Sequence, residues 1–262
     1  MHSKTLVIRT AGTNCDYETV NAFRVCGAEQ VDLVHINSLL SKEINIMNYQ
    51  IVAIPGGFSY GDDVSAGKIL ANEIKYKLFD ALGKYIAAKR LIIGICNGFQ
   101  VLVRTGLLPG FEGVDDLEFT TLANNVSGKF EARWLHLRTE ESKCIFTRKN
   151  KPVIYLPIAH GEGNFVTLNK KVLEKIKANK QIVFRYCDRK GKVISFPENP
   201  NGSQEAIAGI CNPDGNILGL MPHPERYMTR YNHPRWTRED LPEEGDGVFI
   251  FRNAVEFAKK YL

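Results

Sequence analysis

Four short apolar runs, each separated from the next by a polar or amphipathic stretch, restrict this chain more than anything else in it. "TLVIRT" (5–10), "QVDLVHI" (30–36), "QIVAIPGG" (50–57) and "LIIGIC" (91–96) are strand-like, and three are almost continuously apolar. Such runs suit parallel strands covered on both faces, not the alternating pattern of a half-exposed sheet. Between them, 16–26 and 65–89 have helical character, the second with Ile69, Leu70, Ile74, Leu78, Leu82 and Ile86 close to helical spacing. This β-α-β alternation predicts an open, doubly wound, mostly parallel α/β sheet.

The texture changes beyond about residue 115. "FEARWLHLR" (130–138), "PVIYLPIA" (152–159) and "IVFRYCD" (182–188) carry polar interruptions and turn-rich connections. "AIAGICNPDGNILGL" has the form of a hairpin turning through 212–216, and "DGVFIFRNAVEFAKKYL" closes the chain as an amphipathic helix. Added antiparallel strands are expected here. With no linker, repeat or low-complexity segment, residues 1–262 are expected to form one domain.

Composition narrows the functional classes. A net charge of +5 comes from scattered Lys and Arg without an arm or stripe, so nucleic-acid binding is not expected. No apolar run approaches the ~20 residues of a membrane span, and the amino-terminal residues lack the pattern of a secretory signal. Cysteines 15, 26, 96, 144, 187 and 211 include no CxxC and no His at zinc spacing, so neither a metal site nor a disulfide framework is expected. The expectation is a cytoplasmic protein with reduced thiols. The two Asn-X-Ser sequons then serve as loop polar residues.

"GICNG" (94–98) stands at the end of the fourth run, where open α/β sheets place their chemistry. G-x-C-x-G has the form of a nucleophile elbow, a strained strand-to-helix turn whose glycines avoid collision with neighbouring backbone. A helix N-terminus there favours thiolate, and the N–H of Asn97 would face a developing oxyanion. A buried structural Cys with turn glycines is the bland alternative, and a partner base decides between them.

"MPHPER" (221–226) supplies a base. Prolines 222 and 224 hold the segment extended, so His223 and Glu225 face one way, giving nucleophile, base and orienter as Cys96, His223 and Glu225. "LPIAHGEG" (156–163) offers a rival pair, His160 and Glu162, which spacing alone leaves open as a base or as part of a substrate loop. His2, His35 and His136 are terminal or in strand runs. "PGGFSYGDDVSAGKI" (55–69) fails as a phosphate loop, because the glycine spacing is one residue too wide and Ile69 replaces the magnesium-binding hydroxyl. Gly57 there could instead give a second oxyanion N–H.

Together "GICNGFQ", "PGGFSYGDD" and "MPHPER" resemble the class I, triad-type glutamine amidotransferases, which have a flavodoxin-like core. "GTNCD", "GDDVSAGKI", "NVSGKF", "LPIAHGEG", "NPNGS" and "HPRWTRED" extend the resemblance nearly end to end, toward the glutaminase subunits of phosphoribosylformylglycinamidine synthases. The resemblance implies that Cys96 attacks glutamine to form a γ-glutamyl thioester and release ammonia. His223 would act as base and acid, with Glu225 orienting it, and the N–H groups of Gly57 and Asn97 would form the oxyanion hole. It also implies Gln100, Asn125 and Phe130 near the bound glutamine.

Ammonia would pass to a separate ATP-dependent synthetase subunit, with a small third subunit bridging the two. No cofactor is implied in this chain; ATP and magnesium would belong to the synthetase. Ala11 departs from the proline usual before "GTNCD", and the chain is longer than the commonest form after the elbow helix and within 228–245. The departures bear on docking rather than on chemistry. The alternatives are a glutaminase or cysteine hydrolase of the same scaffold serving another acceptor, and a non-catalytic regulatory subunit, which loss of the triad would have marked.

Overall fold

A computed structural model describes residues 3–62, 65–111, 119–149 and 151–262. His2 and, from the glycine-rich stretch, Asp63 and Val64 lie outside the described residues.

The apolar runs form β1 (Lys4–Arg9), β2 (Gln30–His35), β3 (Ile51–Ile54) and β4 (Leu91–Ile95), all mutually parallel in the order β2-β1-β3-β4. Every residue of β3 and β4 is buried, as a strand covered on both faces requires. β11 (Ile217–Leu220) joins β4 in parallel and is likewise wholly buried. β10 (Ile207–Cys211), β9 (Ile182–Cys187), β6 (Glu131–Thr139) and β7 (Val153–His160) then continue the same nine-stranded sheet in antiparallel pairing. β7 alternates half-buried and buried residues along its length, the mark of a sheet with one face packed. Antiparallel strands were expected in this half, and these four extend the parallel sheet.

The helices fall where apolar spacing repeats. α1 (Asp16–Val25) buries Val20 and Phe23, and Phe23 meets Phe251 of α7 (Val248–Tyr261) edge to face at 5.0 Å. The stretch expected as helical over 65–89 is divided at Leu78, whose φ of −116° and ψ of 10° end α3 (Lys68–Lys77) and begin α4 (Phe79–Ala87). Four elements had not been expected. α2 (Ile36–Leu40) is a single turn capped by His35 Nδ1, which accepts from the Asn37 N–H. β5 (Thr120–Ala123) and β8 (Asn164–Thr167) make a separate two-stranded ribbon, and α6 (Lys170–Ala178) is capped by the Asn169 side chain. The four-residue strands of the ribbon are too short to show a period.

The carboxyl ends of β1, β3, β4 and β11 lie along one edge of the sheet, and each continues into one of the motif segments. All six cysteines are free thiols. Among the described residues no helix is long and apolar enough to cross a membrane.

Candidate active site

Cys96 stands between β4 and α5 (Asn97–Arg104) with φ 50° and ψ −104°, in the positive-φ region that non-glycine residues seldom enter. The flanking glycines make this turn possible. A Cβ on Gly98 would fall 1.9 Å from the Ile54 carbonyl oxygen of β3, and one on Gly94 would fall 2.5 Å from the Gly98 carbonyl oxygen. The helix can therefore start tight against the sheet, with the sulfur carried past the strand end. Cys96 is buried, and its Sγ lies 3.6 Å from the Ala159 carbonyl oxygen at the end of β7.

His223 follows β11, and its backbone N–H donates to the Pro157 carbonyl at 2.8 Å. Its Nδ1 lies 2.6 Å from Glu225 Oε1, with both side chains buried. His223 Nε2 is also buried, and among the described residues no nitrogen or oxygen partners it. Burial disfavours the charged ring, but the Glu225 carboxylate and then the Cys96 sulfur outweigh it and hold His223 well above the ordinary histidine value. Gly56 keeps the parts close: a Cβ there would sit 2.8 Å from His223 Cε1 and 3.4 Å from Cys96 Cβ.

Cys96 opens on two cavities. One, of ≈ 200 Å³, is bounded by Asn14, Cys15, His223 and Arg226. The other, of ≈ 240 Å³, is bounded by Asp62, Gln100, His160 and Glu162. Gly57, Phe58, Phe130 and Ala159 border both. Half-exposed Phe58 and Phe130 stack at 6.3 Å across the shared mouth.

The structure thus brings Cys96, His223, Glu225 and Gly57 together, with Phe130 at the mouth. Asn97 begins α5, where N–H groups lack an intrahelical acceptor, while its side chain is engaged by Gln100 Oε1 at 3.0 Å, Asp62 Oδ1 at 3.3 Å and the Ser59 N–H at 3.4 Å. Gln100 uses both ends of its amide within the protein, donating to the Glu162 carbonyl at 2.6 Å. Asn125 stands behind His160. Its Nδ2 donates to the carbonyls of Lys129 and His160, both at 2.9 Å. His160, the rival base, has Asn125 Oδ1 as its ring partner at 3.2 Å instead of Glu162. Burial, and then His223, lower its pKa to about 3.

The chain matches the model of the CobB/CobQ-like glutamine amidotransferase domain over residues 2–258. It is 48% identical over 259 residues to phosphoribosylformylglycinamidine synthase subunit PurQ of Dehalococcoides mccartyi, covering 98% of each chain. It is 43% identical over 271 residues to the same subunit of Methanococcus maripaludis, again with 98% of each covered. The chain belongs to the PurQ family of glutamine amidotransferases.

Among solved structures, a chain in that of PurLQS from Thermotoga maritima superposes with a TM-score of 0.74 at 30% identity, over 98% of this chain and 99% of that one. Another glutamine amidotransferase from Thermotoga maritima, at 17% identity and a TM-score of 0.54 over 99% of this chain and 93% of that one, shares the fold alone. The open, mostly parallel sheet with antiparallel additions is thus the glutamine amidotransferase fold.

Two residues of this PurQ-family site escaped the sequence reading. Cys15, from the segment after β1, has its sulfur 3.9 Å from His223 Nδ1 and receives a hydrogen bond from Arg226 Nη2 at 3.0 Å. Cys15, His223 and Glu225 form the one grouping among the described residues with metal-ligand proximity, their donor atoms lying within 4.8 Å of one another. No linear pattern joins positions 15 and 226; only the adjacency of β1 and β3, with β4 and β11 beyond, brings them together.

Proposed function

We propose that this chain hydrolyses glutamine through Cys96, His223 and Glu225, and delivers the ammonia to a separate synthetase subunit. That subunit uses it in the ATP-dependent conversion of formylglycinamide ribonucleotide to formylglycinamidine ribonucleotide, in de novo purine biosynthesis. The observation that carries the chemistry is the His223–Glu225 contact of 2.6 Å, with a buried Nε2 in a cavity shared with Cys96. Glu225 fixes the tautomer and orientation of the ring and stabilises its positive form.

Cys96 Sγ attacks the carboxamide carbon, and the oxygen gathers negative charge facing the N–H groups of Gly57 and Asn97. His223 Nε2, which takes the thiol proton of Cys96 as the sulfur attacks, gives that proton to the departing nitrogen as the C–N bond breaks, leaving a γ-glutamyl thioester and ammonia. Water then attacks the thioester and loses a proton to His223 Nε2. The C–S bond breaks, releasing glutamate and restoring Cys96. Because His223 borders only the smaller cavity, ammonia leaves and water enters on that side, while the amino-acid portion of glutamine occupies the other.

The choice of acceptor rests on the relatives, which are subunits of phosphoribosylformylglycinamidine synthase, and on the similar chain in the PurLQS structure from Thermotoga maritima. On this reading the partners are a synthetase and a small bridging subunit, with ATP and magnesium bound by the synthetase and no cofactor here. Residues 1–262 act as one glutaminase domain, in the cytoplasm. Reconstitution with the synthetase and small subunits tests this reading. Glutamine-dependent formation of the amidine that is lost in Cys96→Ser, yet restored by ammonium salts, is expected. Equal glutamine use by Cys96→Ser would overturn it.

A further inference from the structure

Glutamine hydrolysis uses only one of the two thiols at this site. Of the six cysteines, Cys15 and Cys96 are the two that border the ≈ 200 Å³ cavity. A Cβ on Gly56 would sit 3.2 Å from Cys15 Sγ and 3.4 Å from Cys96 Cβ. The two cysteines therefore flank a position that glycine leaves without a side chain. Both are fixed there by backbone. The Cys15 N–H donates to the Gly56 carbonyl at 3.2 Å, and Cys96 is held by the positive φ of the elbow.

The surroundings of the two sulfurs differ. Cys15 Sγ donates to Asn14 Oδ1 at 3.2 Å and receives from Arg226 Nη2 at 3.0 Å. Burial pushes its pKa up, so the resting group is a thiol, slow to react with an oxidant directly. The guanidinium beside it stabilises negative charge on the sulfur only as that charge develops. Cys96 instead has a base at hand in His223. A cavity that passes ammonia and water also admits hydrogen peroxide.

We propose that Cys15 is the resolving thiol of Cys96, so that a hydroperoxide closes the two into a reversible disulfide and switches the glutaminase off. Cys96 Sγ passes its proton to His223 and attacks one oxygen of the peroxide. The O–O bond breaks and the departing hydroxide takes that proton as water, leaving a sulfenic acid on Cys96. Cys15 Sγ then attacks Cys96 Sγ as the S–O bond breaks, and the hydroxyl leaves with the Cys15 thiol proton as a second water. The thiol pair is oxidised to a disulfide and the peroxide is reduced. The pairing stops Cys96 short of the sulfinic acid, from which thiols do not recover it. The consequence for activity rests on the glutaminase reading above; the bond itself does not.

The test exposes the chain, assembled with its synthetase and small subunits, to hydrogen peroxide without glutamine. Alkylation of the remaining thiols and mass spectrometry of a non-reduced digest then map the sulfurs. The expected product is a pair of peptides joined through Cys15 and Cys96, formed as ammonia release from glutamine is lost. Dithiothreitol should reverse both. In Cys15→Ala, measured against its own starting activity, the same exposure should leave Cys96 as the sulfinic acid. Its recovery in dithiothreitol should be ~10-fold or more below that of the wild type. The wild-type map decides by itself if the variant is inactive from the start. Sulfinic Cys96 beside a free Cys15 thiol in the wild type, an unoxidised Cys96, or equal recovery of both proteins would overturn the proposal. A wild type that forms the bond yet releases no ammonia before oxidation would overturn the glutaminase reading instead.

Discussion

At the scale of single residues, the chemistry depends on a cysteine in a strained turn and a histidine fixed by one carboxylate. Cys96→Ser should lower glutamine hydrolysis by ~10³-fold or more, since an alcohol is a far weaker nucleophile than a thiolate. His223→Asn should be about as damaging and Glu225→Gln less so, as steady-state glutamate release will show. Glu225 is the chief group raising the pKa of His223 against the effect of burial. Removing its charge in Glu225→Gln therefore moves the His223 titration to lower pH, an outcome read from the imidazole carbon-bound protons by NMR; an unmoved midpoint would assign the rise to another group. Cys96 was legible through its elbow, and His223 and Glu225 through their spacing in one short motif, although Pro224–Arg226 is a 3-10 turn instead of the extended segment expected there, and it is this turn that brings Glu225 to the ring. Cys15 and Arg226 were not, since positions 211 residues apart meet only through strand order. Nor did spacing separate His160 from His223. What distinguishes them is the partner of each ring, an amide oxygen for one and a carboxylate for the other.

At the scale of elements, the elbow joining β4 to α5 is a fit of backbone against backbone. A methyl group on Gly98 meets the Ile54 carbonyl oxygen at 1.9 Å, and a main chain has little room to yield. Gly98→Ala should therefore destabilise the protein by ~3 kcal/mol or more in urea unfolding. Gly83 in α4 is the contrast. A Cβ there meets nothing within 4 Å and its φ is not in the positive region, so Gly83→Ala should be stabilising, by up to ~1 kcal/mol. Equal effects at the two positions would remove the steric account of the elbow. The parallel strands could be read from sequence because burial on both faces leaves continuous apolar runs. α6 has a hydrogen-bonded Asn cap and four lysines, with buried Val172 and Ile176, yet so polar a stretch passes easily for a loop. The ribbon of β5 and β8 owes its position to tertiary contacts, among them Phe165 stacked on Phe99 of α5 at 6.4 Å.

At the scale of the whole molecule, one continuous sheet supports both cavities, so the site and global stability share a dependence on pH. Folding lowers the pKa of His160 from 6.5 to about 3 by burial, so across that interval the unfolded chain binds a proton that the native ring does not. Stability attributable to this residue is therefore complete at neutral pH and is lost as the pH falls below ~6.5, with a limiting slope of about 1.4 kcal/mol per pH unit. His160→Asn should show a shallower acid loss of stability than the wild type in urea titrations between those limits, and identical slopes would refute the assignment. The parallel half of the fold was foreseeable strand by strand. The pairing of β6 between β9 and β7 was not, because several antiparallel orders suit the same alternating pattern. The central claim, that Cys96 is a nucleophile that recognises glutamine, is tested most directly by mass spectrometry after exposure to a glutamine-mimicking diazoketone, alone and with the synthetase partner. A single adduct on the peptide carrying Cys96, blocked by excess glutamine and with the other five cysteines spared, is the predicted result; an unmodified Cys96 under both conditions would contradict the account.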